Sequence, residues 1–300
     1  MRALQLGFLG SAILASCFFT VTASADFCTD FENYSGLPSG FPLSPQFGWY
    51  VPNVAGSLDM NVYTYFTGNP LGIPDNPTGG LFWVGGRGPG SSTFCRAQHD
   101  ITFSNTLWEL ALDFCANFNG TAATNNVGSF SGQPAPNDWI MLCSWVVGSE
   151  GSLFNLGYIV YDAAGVQVAQ PGNFAGPAWQ GLPVRNWYRL AMKLNFATNL
   201  VTEVSIANIT NGGPTTTVNP VGWYLEGGAG GSTAPETAFR FFAGATANEG
   251  CITAWDNPCF RELGTTAVEQ TTWGSIKGQF DAPAPGSGKA VPQVANPEVQ

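Results

Sequence analysis

Between Asn186 and Thr210 the chain reads NWYRLAMKLNFATNLVTEVSIANIT, and its apolar positions recur at every second residue. Tyr188, Leu190, Met192, Leu194 and Phe196 share one side of the pleat, with Arg189, Lys193 and Asn195 on the other. After "ATN" the alternation resumes, with Val204 and Ile206 opposing Glu203 and Ser205. This pattern predicts two half-buried antiparallel strands joined by a short Asn-containing turn. Comparable runs are LDMNVYTYF, GLFWV, TFCRAQHDITF, LWELALDFCANF, DWIMLCSWVV, LFNLGYIVYD, VGWYL, AFRFFAG and CITAWDNPCF. Roughly a dozen strands with no helix between them predict an all-β fold, an antiparallel two-sheet β-sandwich of jelly-roll type. No repeat at fixed spacing occurs, which argues against a propeller. FNGTAATNNVGSFSGQPAPND and YDAAGVQVAQPGNFAGPAWQGLPV read as long loops, the segments in which binding usually resides.

Both ends break the pattern. MR, an apolar run ALQLGFLGSAILASCFFTV and the small residues TASA form a secretory signal peptide over residues 1–25, cut before Asp26. Two rival readings are an uncleaved anchor and a lipid on Cys17, which sits in the lipobox-like LASC. No other segment is apolar enough to predict a membrane span, so the exported chain is expected in the extracellular space or cell envelope. The sandwich is expected over residues 26–263. A flexible Pro/Ala/Gly-rich tail follows over 264–300, in which Trp273, Ile276 and Phe280 fall at helical spacing.

Charge changes the picture mainly by exclusion. Charged residues are only 10% of the 300, with twenty acids against ten bases, and Arg2 leaves with the signal. No basic run exists, which argues against nucleic acid as a partner, because phosphate binding needs clustered Lys and Arg. Cys28, Cys95, Cys115, Cys143, Cys251 and Cys259 remain after Cys17 departs. An even number in an exported chain permits up to three disulfides, with pairing left open; Cys115 and Cys143, inside strand-like runs, fit buried thiols equally well. With one His and no CxxC pair, a zinc site is not expected.

NWYRLAMKLNFATNLVTEVSI, then FRFFAG and ITAWDN, following an N-terminal DFE, resemble the secreted bacterial members of the concanavalin A-like lectin/glucanase superfamily, including its laminin G-like group. The resemblance covers most of residues 26–262 and lies in strand-level pattern. It implies two curved antiparallel sheets with the first and last strands adjacent. It leaves function open among sugar-binding modules, adhesion domains and glycoside hydrolases.

Retaining hydrolases of this fold carry ExDxE-type acids on one strand, and that spacing is absent here. Glu109 and Asp113 share a face but lie four residues, about 13 Å, apart, too far even for an inverting pair. Asp30 and Glu32 have the right spacing beside the new N-terminus, and acids drawn from separate strands stay open. His99 has no nucleophile in sequence reach, and GSFSG places Phe130 where an elbow serine belongs. VGGRGPGS lacks the Lys-Ser/Thr of a phosphate loop.

A sugar site needs aromatic faces beside planar polar groups. Trp83, Trp179, Arg96 and Gln98 are the candidates, each also readable as packing or as a solvated strand face. If the end strands pair as the resemblance implies, Asp30, Glu32, Asp256 and Asn257 are candidate ligands of a structural calcium ion. The reading favoured by the sequence is a secreted, non-catalytic glycan-recognition or adhesion domain binding an extracellular glycan or cell-surface component. A polysaccharide-cleaving hydrolase and a purely structural envelope or matrix protein are the alternatives.

Overall fold

The computed structural model describes residues 26–65, 71–87, 94–101, 103–104, 106–117, 126–133, 143–150, 152–168, 175–230, 238–243 and 252–263. The expected signal peptide (1–25, with Cys17), Cys251 and the expected tail (264–300) lie outside the described residues, as does the side chain of Cys143.

The strands run in chain order as β1 (Phe27–Cys28), β2 (Phe41–Pro42), β3 (Ser57–Leu58), β4 (Asn61–Thr64), β5 (Phe82–Arg87) and β6 (Phe94–Asp100). Next come β7 (Leu107–Asn117), β8 (Asn126–Gln133), β9 (Cys143–Glu150), β10 (Leu153–Ile159) and β11 (Leu182–Pro183). β12 (Trp187–Asn195), β13 (Leu200–Asn208), β14 (Thr216–Val218), β15 (Ala238–Ala243) and β16 (Ile252–Glu262) complete the set. They form two sheets. The first has the order β14-β13-β12-β7-β16-β5-β4-β2, with β1 also paired to β16; the second has the order β11-β10-β9-β8-β15-β6-β3. Among the described strands, only the short edge pairing of β3 with β6 is parallel. The fold is thus an all-β two-sheet sandwich, and its first and last strands are neighbours, with Phe27 opposite Phe260 and Cys28 opposite Cys259.

The period-two signal places the core. On β12, Tyr188, Leu190, Met192 and Leu194 are fully buried between the sheets, and Leu190 and Met192 oppose Ile206 and Val204 of β13. Facing them from the second sheet are Phe130, Phe154, Phe239 and Phe241; the ring of Phe241 stacks on Trp255 at 5.2 Å. Burying side chains of this size contributes roughly 1.5–3 kcal/mol each.

Two expectations change. VGWYL forms no extended strand; Tyr224 only bridges Tyr161 and Leu200. The Asn199 side-chain amide donates to the carbonyls of Leu225, Glu226 and Gly228, which turns the chain there. In the other direction, residues 126–133 form strand β8 inside a stretch read as loop. Phe130 carries that strand's core contact, while its small Gly and Ser neighbours hide the alternation.

A second apolar cluster lies on the outer side of the first sheet. Tyr63, Ile73, Trp83, Cys115, Trp187, Ile252 and Ala254 pack together there, around residues 71–73 of the β4–β5 connection. Cys115 is a free, buried thiol whose ionisation is pushed up by that burial.

Candidate functional site

Two outer faces carry the chemistry-bearing residues, and they differ in how their charges are satisfied. On the first sheet, Arg189 of β12, Asp113 of β7 and Asp256 of β16 occupy one cross-strand row, since Arg189 opposes Asp113 and Asp113 opposes Asp256. Arg189 donates to Asp113 through both Nε and Nη2 in a forked ion pair. Both carboxylates are wholly buried. Asn76 bridges them, its Nδ2 lying 3.1 Å from Asp113 Oδ2 and 3.0 Å from Asp256 Oδ2. Tyr65 donates to Asp256 at 2.8 Å, and Thr78 Oγ1 lies 2.8 Å from Asp113 Oδ2. Burial pushes the Asp256 carboxyl up to about 7, against the lowering effect of its hydrogen-bond donors.

The loop that supplies Asn76 and Thr78 passes very close to these acids. A Cβ on Gly79 would lie 2.3 Å from the buried Asp256 Oδ2, which leaves no room for a side chain there, and one on Gly80 would lie 2.1 Å from the Glu32 carboxylate, which would have to shift. Acids from separate strands therefore do meet here. They are buried and engaged with donors.

Below that row, Cys28 and Cys259 form a disulfide beside Ala111. A cleft of about 530 Å³ opens over Ala111, with Asp30, Thr78, Arg189 and Asn257 on its walls.

The calcium candidates do not form an ion shell. Asp30 and Asn257 line the cleft, whereas Glu32 Oε1 accepts the backbone N–H groups of Leu81 and Phe82. Asp256 accepts from Tyr65, Asn76 and the Asn257 N–H, and Asn257 turns its Nδ2 donor toward Asp113 and the Thr78 carbonyl. Oxygens already met by N–H and O–H donors do not fit a cation that takes six to eight oxygen ligands. Among the described residues, no group of three or more His, Cys, Asp or Glu is placed to hold a metal.

The outer face of the second sheet is organised differently. Arg96 and Gln98 of β6 share it with Arg240 and Phe242 of β15 and with Ser129 and Ser131 of β8, because Arg240 opposes Gln98 and Ser131, and Phe242 opposes Arg96 and Ser129. Tyr50 bridges the free side of Gln98. Gln98 Oε1 accepts from Arg240 Nε at 2.8 Å and Nη2 at 2.6 Å, while its Nε2 donates to Tyr50 Oη at 2.7 Å. Tyr50 in turn donates to Asp100 at 2.7 Å. Arg96 is half-buried, with its guanidinium 4.7 Å from the Phe94 ring centroid, 5.5 Å from that of Phe242, and bonded at 2.9 Å to Ser57 Oγ. Desolvation lowers the Arg96 pKa, and burial together with the Arg96 charge lowers that of Arg240 to about 10. Two guanidinium groups thus share one face and repel each other. No carboxylate lies within ion-pair distance of Arg96 among the described residues.

The two tryptophans singled out by sequence do not reach this face. Trp83 is fully buried in the outer cluster of the other sheet, stacked on Tyr63 at 4.5 Å. Trp179 is fully buried in the core and donates its Nε1–H to Tyr158 Oη at 2.9 Å. Each offers no ring to a ligand. His99 points inward, stacked on Phe239, with Nε2 3.1 Å from the Phe47 carbonyl. Arg240 and Phe242 were legible in AFRFFA, where they alternate with the core residues Phe239 and Phe241. Tyr50, in a loop, carried no such signal.

No family model matches the chain, and no curated protein does. Among solved structures it is similar to the CBM2 module of Lactobacillus casei BL23 phage J-1 evolved Dit, at 14% identity over 78% of this chain and 93% of that one, with a TM-score of 0.42. It is also similar to the alginate lyase from Klebsiella pneumoniae, at 8% identity over 68% and 81%, TM-score 0.38. A third is a lectin from Bauhinia forficata in complex with GalNAc, at 9% identity over 81% and 100%, TM-score 0.39. At such scores these neighbours carry no argument about chemistry, and the sandwich assignment rests on the strand pairing above.

Proposed function

We propose that this protein recognises an acidic extracellular glycan on the outer face of its second sheet and does not cleave it. The observation that carries this reading is Arg96: a half-exposed guanidinium beside two phenylalanine rings, with no carboxylate partner in reach among the described residues. Holding a second guanidinium close by costs free energy that a bound anion recovers. The rings of Phe94 and Phe242 supply apolar surface for the C–H face of a sugar, and Tyr50 and the exposed Asp100 supply polar groups for its hydroxyls, with the fully buried Gln98 holding Tyr50 from beneath. A carboxylate or sulfate on the sugar pairs with Arg96.

The placement of the acids supports binding without cleavage. Asp113 and Asp256, the adjacent pair, are buried on the other sheet, and Asp100 is engaged by Tyr50. A glycan array probed with the mature chain, run beside a reducing-end release assay on the same preparation, tests the reading. Retention on uronate or sulfated glycans with no release is expected. Release of product, or retention on neutral glycans alone, contradicts it.

A further inference from the structure

We propose that the cleft over Ala111 on the first sheet is a second ligand site, one that takes the vicinal hydroxyl pair of an uncharged sugar ring. It lies on the opposite sheet from Arg96 and does not depend on the reading of that face. Its central group is Arg189. Asp113, buried beneath it, grips Nε and Nη2, and Thr78 Oγ1 lies 3.3 Å from Nη2. No bond to Nη1 is found among the described residues, and the side chain is 43% exposed. The guanidinium is therefore fixed from below with one pair of N–H donors turned to the opening.

Acceptors stand on the other walls. Asp30 is exposed at the rim, and Asn257 commits its Nδ2 to Asp113 and the Thr78 carbonyl, which leaves its Oδ1. Asn257 is held in place by a left-handed backbone (φ 47°) at the irregularity between Asp256 and Cys259. Ala111 and the Cys28–Cys259 disulfide form a floor of small side chains. At about 530 Å³ the cleft falls in the size range of small-molecule sites, roughly 300–1,000 Å³.

The charge balance selects the ligand class. Asp113 already neutralises Arg189 and occupies the fork of donors that a carboxylate prefers, and Asp30 adds a negative charge. Anions are thereby disfavoured. A hydroxyl fits, because it accepts from Nη1–H and donates to Asn257 or Asp30 with the same oxygen. Adjacent hydroxyls on one ring span the two walls.

The test is a titration of the isotopically labelled mature chain, following the signals of Ala111, Arg189 and Asn257 by NMR. The probes are cellobiose, maltose and methyl mannoside, with digalacturonate as the charged control. Saturable shifts with at least one neutral probe, at about millimolar affinity, are expected. Ala111→Phe, which fills the floor, should weaken them at least about tenfold, while Arg96→Gln leaves them unchanged. No saturable shift from any neutral probe, shifts that persist in Ala111→Phe, or tighter binding of digalacturonate at these signals overturns the proposal. Should Ala111→Phe fail to fold, Asp30→Ala at the exposed rim takes its place. About fivefold weakening is expected of it, and unchanged affinity overturns the proposal. Because Arg96→Gln separates the faces, failure here and failure of the acidic-glycan reading are distinguishable.

Discussion

The two outer faces each present arginines, and among the described residues the ion pairs lie on the first. On the first sheet Arg189, Lys193 and Arg261 are matched to Asp113, Glu203 and Glu109, and the deepest pair is capped by Asn76 and Thr78. On the second, Arg96 rests between rings and a serine, near a second cation. The contrast separates a buried charge row that ties strands together from an arginine held beside rings and a second cation. The row should respond to mutation in stability, and Arg96 in acidic-glycan binding.

The largest effect is expected at the staple of the first face. The Cys28–Cys259 bond spans 231 residues, and in the chain-entropy model removing so long a closure costs about 5.5 kcal/mol. Denaturant melting of the Cys28→Ser/Cys259→Ser double variant should show that loss, and an unshifted midpoint would mean the end strands need no covalent tie. Next comes Asp113→Ala, which strands Arg189 and takes away a shared acceptor of Asn76 and Asn257. A destabilisation of about 3–5 kcal/mol is expected, with acidic-glycan binding unchanged in the folded fraction. A change below about 1 kcal/mol would place the row among ordinary surface ion pairs.

A smaller effect follows from pH. Asp256 is raised to about 7 and Asp59 to about 6, each chiefly by burial. The folded state then binds protons more tightly than the unfolded chain. Stability from these groups is full below about pH 4, falls as pH rises, and levels off above about 7. Thermal melts of the wild type from pH 4 to 8 should trace this slope, and Asp256→Asn should flatten most of it. An equally steep slope in the variant assigns the dependence elsewhere. The smallest effect is that of chelation: EDTA is expected to move the melting temperature by less than about 1 °C, since the proposed calcium ligands are already hydrogen-bonded. A drop of several degrees would restore the metal.

How far sequence carried this account depends on whether the signal was local. The β12–β13 hairpin was legible because its alternation is unbroken and each core residue is large. β8 was not, because Gly128, Ser129, Ser131 and Gly132 break the alternation and leave Phe130 as its single aromatic residue. Arg96 and Gln98 were correctly placed together on one face by the pleat alone. Trp83 misled, since period two assigns a side of the strand and says nothing about a second apolar cluster packing over that side. The Asn76–Asp113–Asp256 network was beyond reach, because Asn76 and Asp256 stand 180 residues apart and meet only when a loop folds back over the sheet.

The most direct measurement is the affinity of an acidic oligosaccharide, such as a polygalacturonate oligomer, for the wild type and for Arg96→Gln, with the melting temperature of each recorded alongside. A loss of about tenfold or more with melting points within about 2 °C is predicted, the signature of a charged hydrogen bond made to ligand and not to the fold. Equal affinity for the two proteins, or a loss that appears only because Arg96→Gln unfolds, would contradict the assignment of that face to binding.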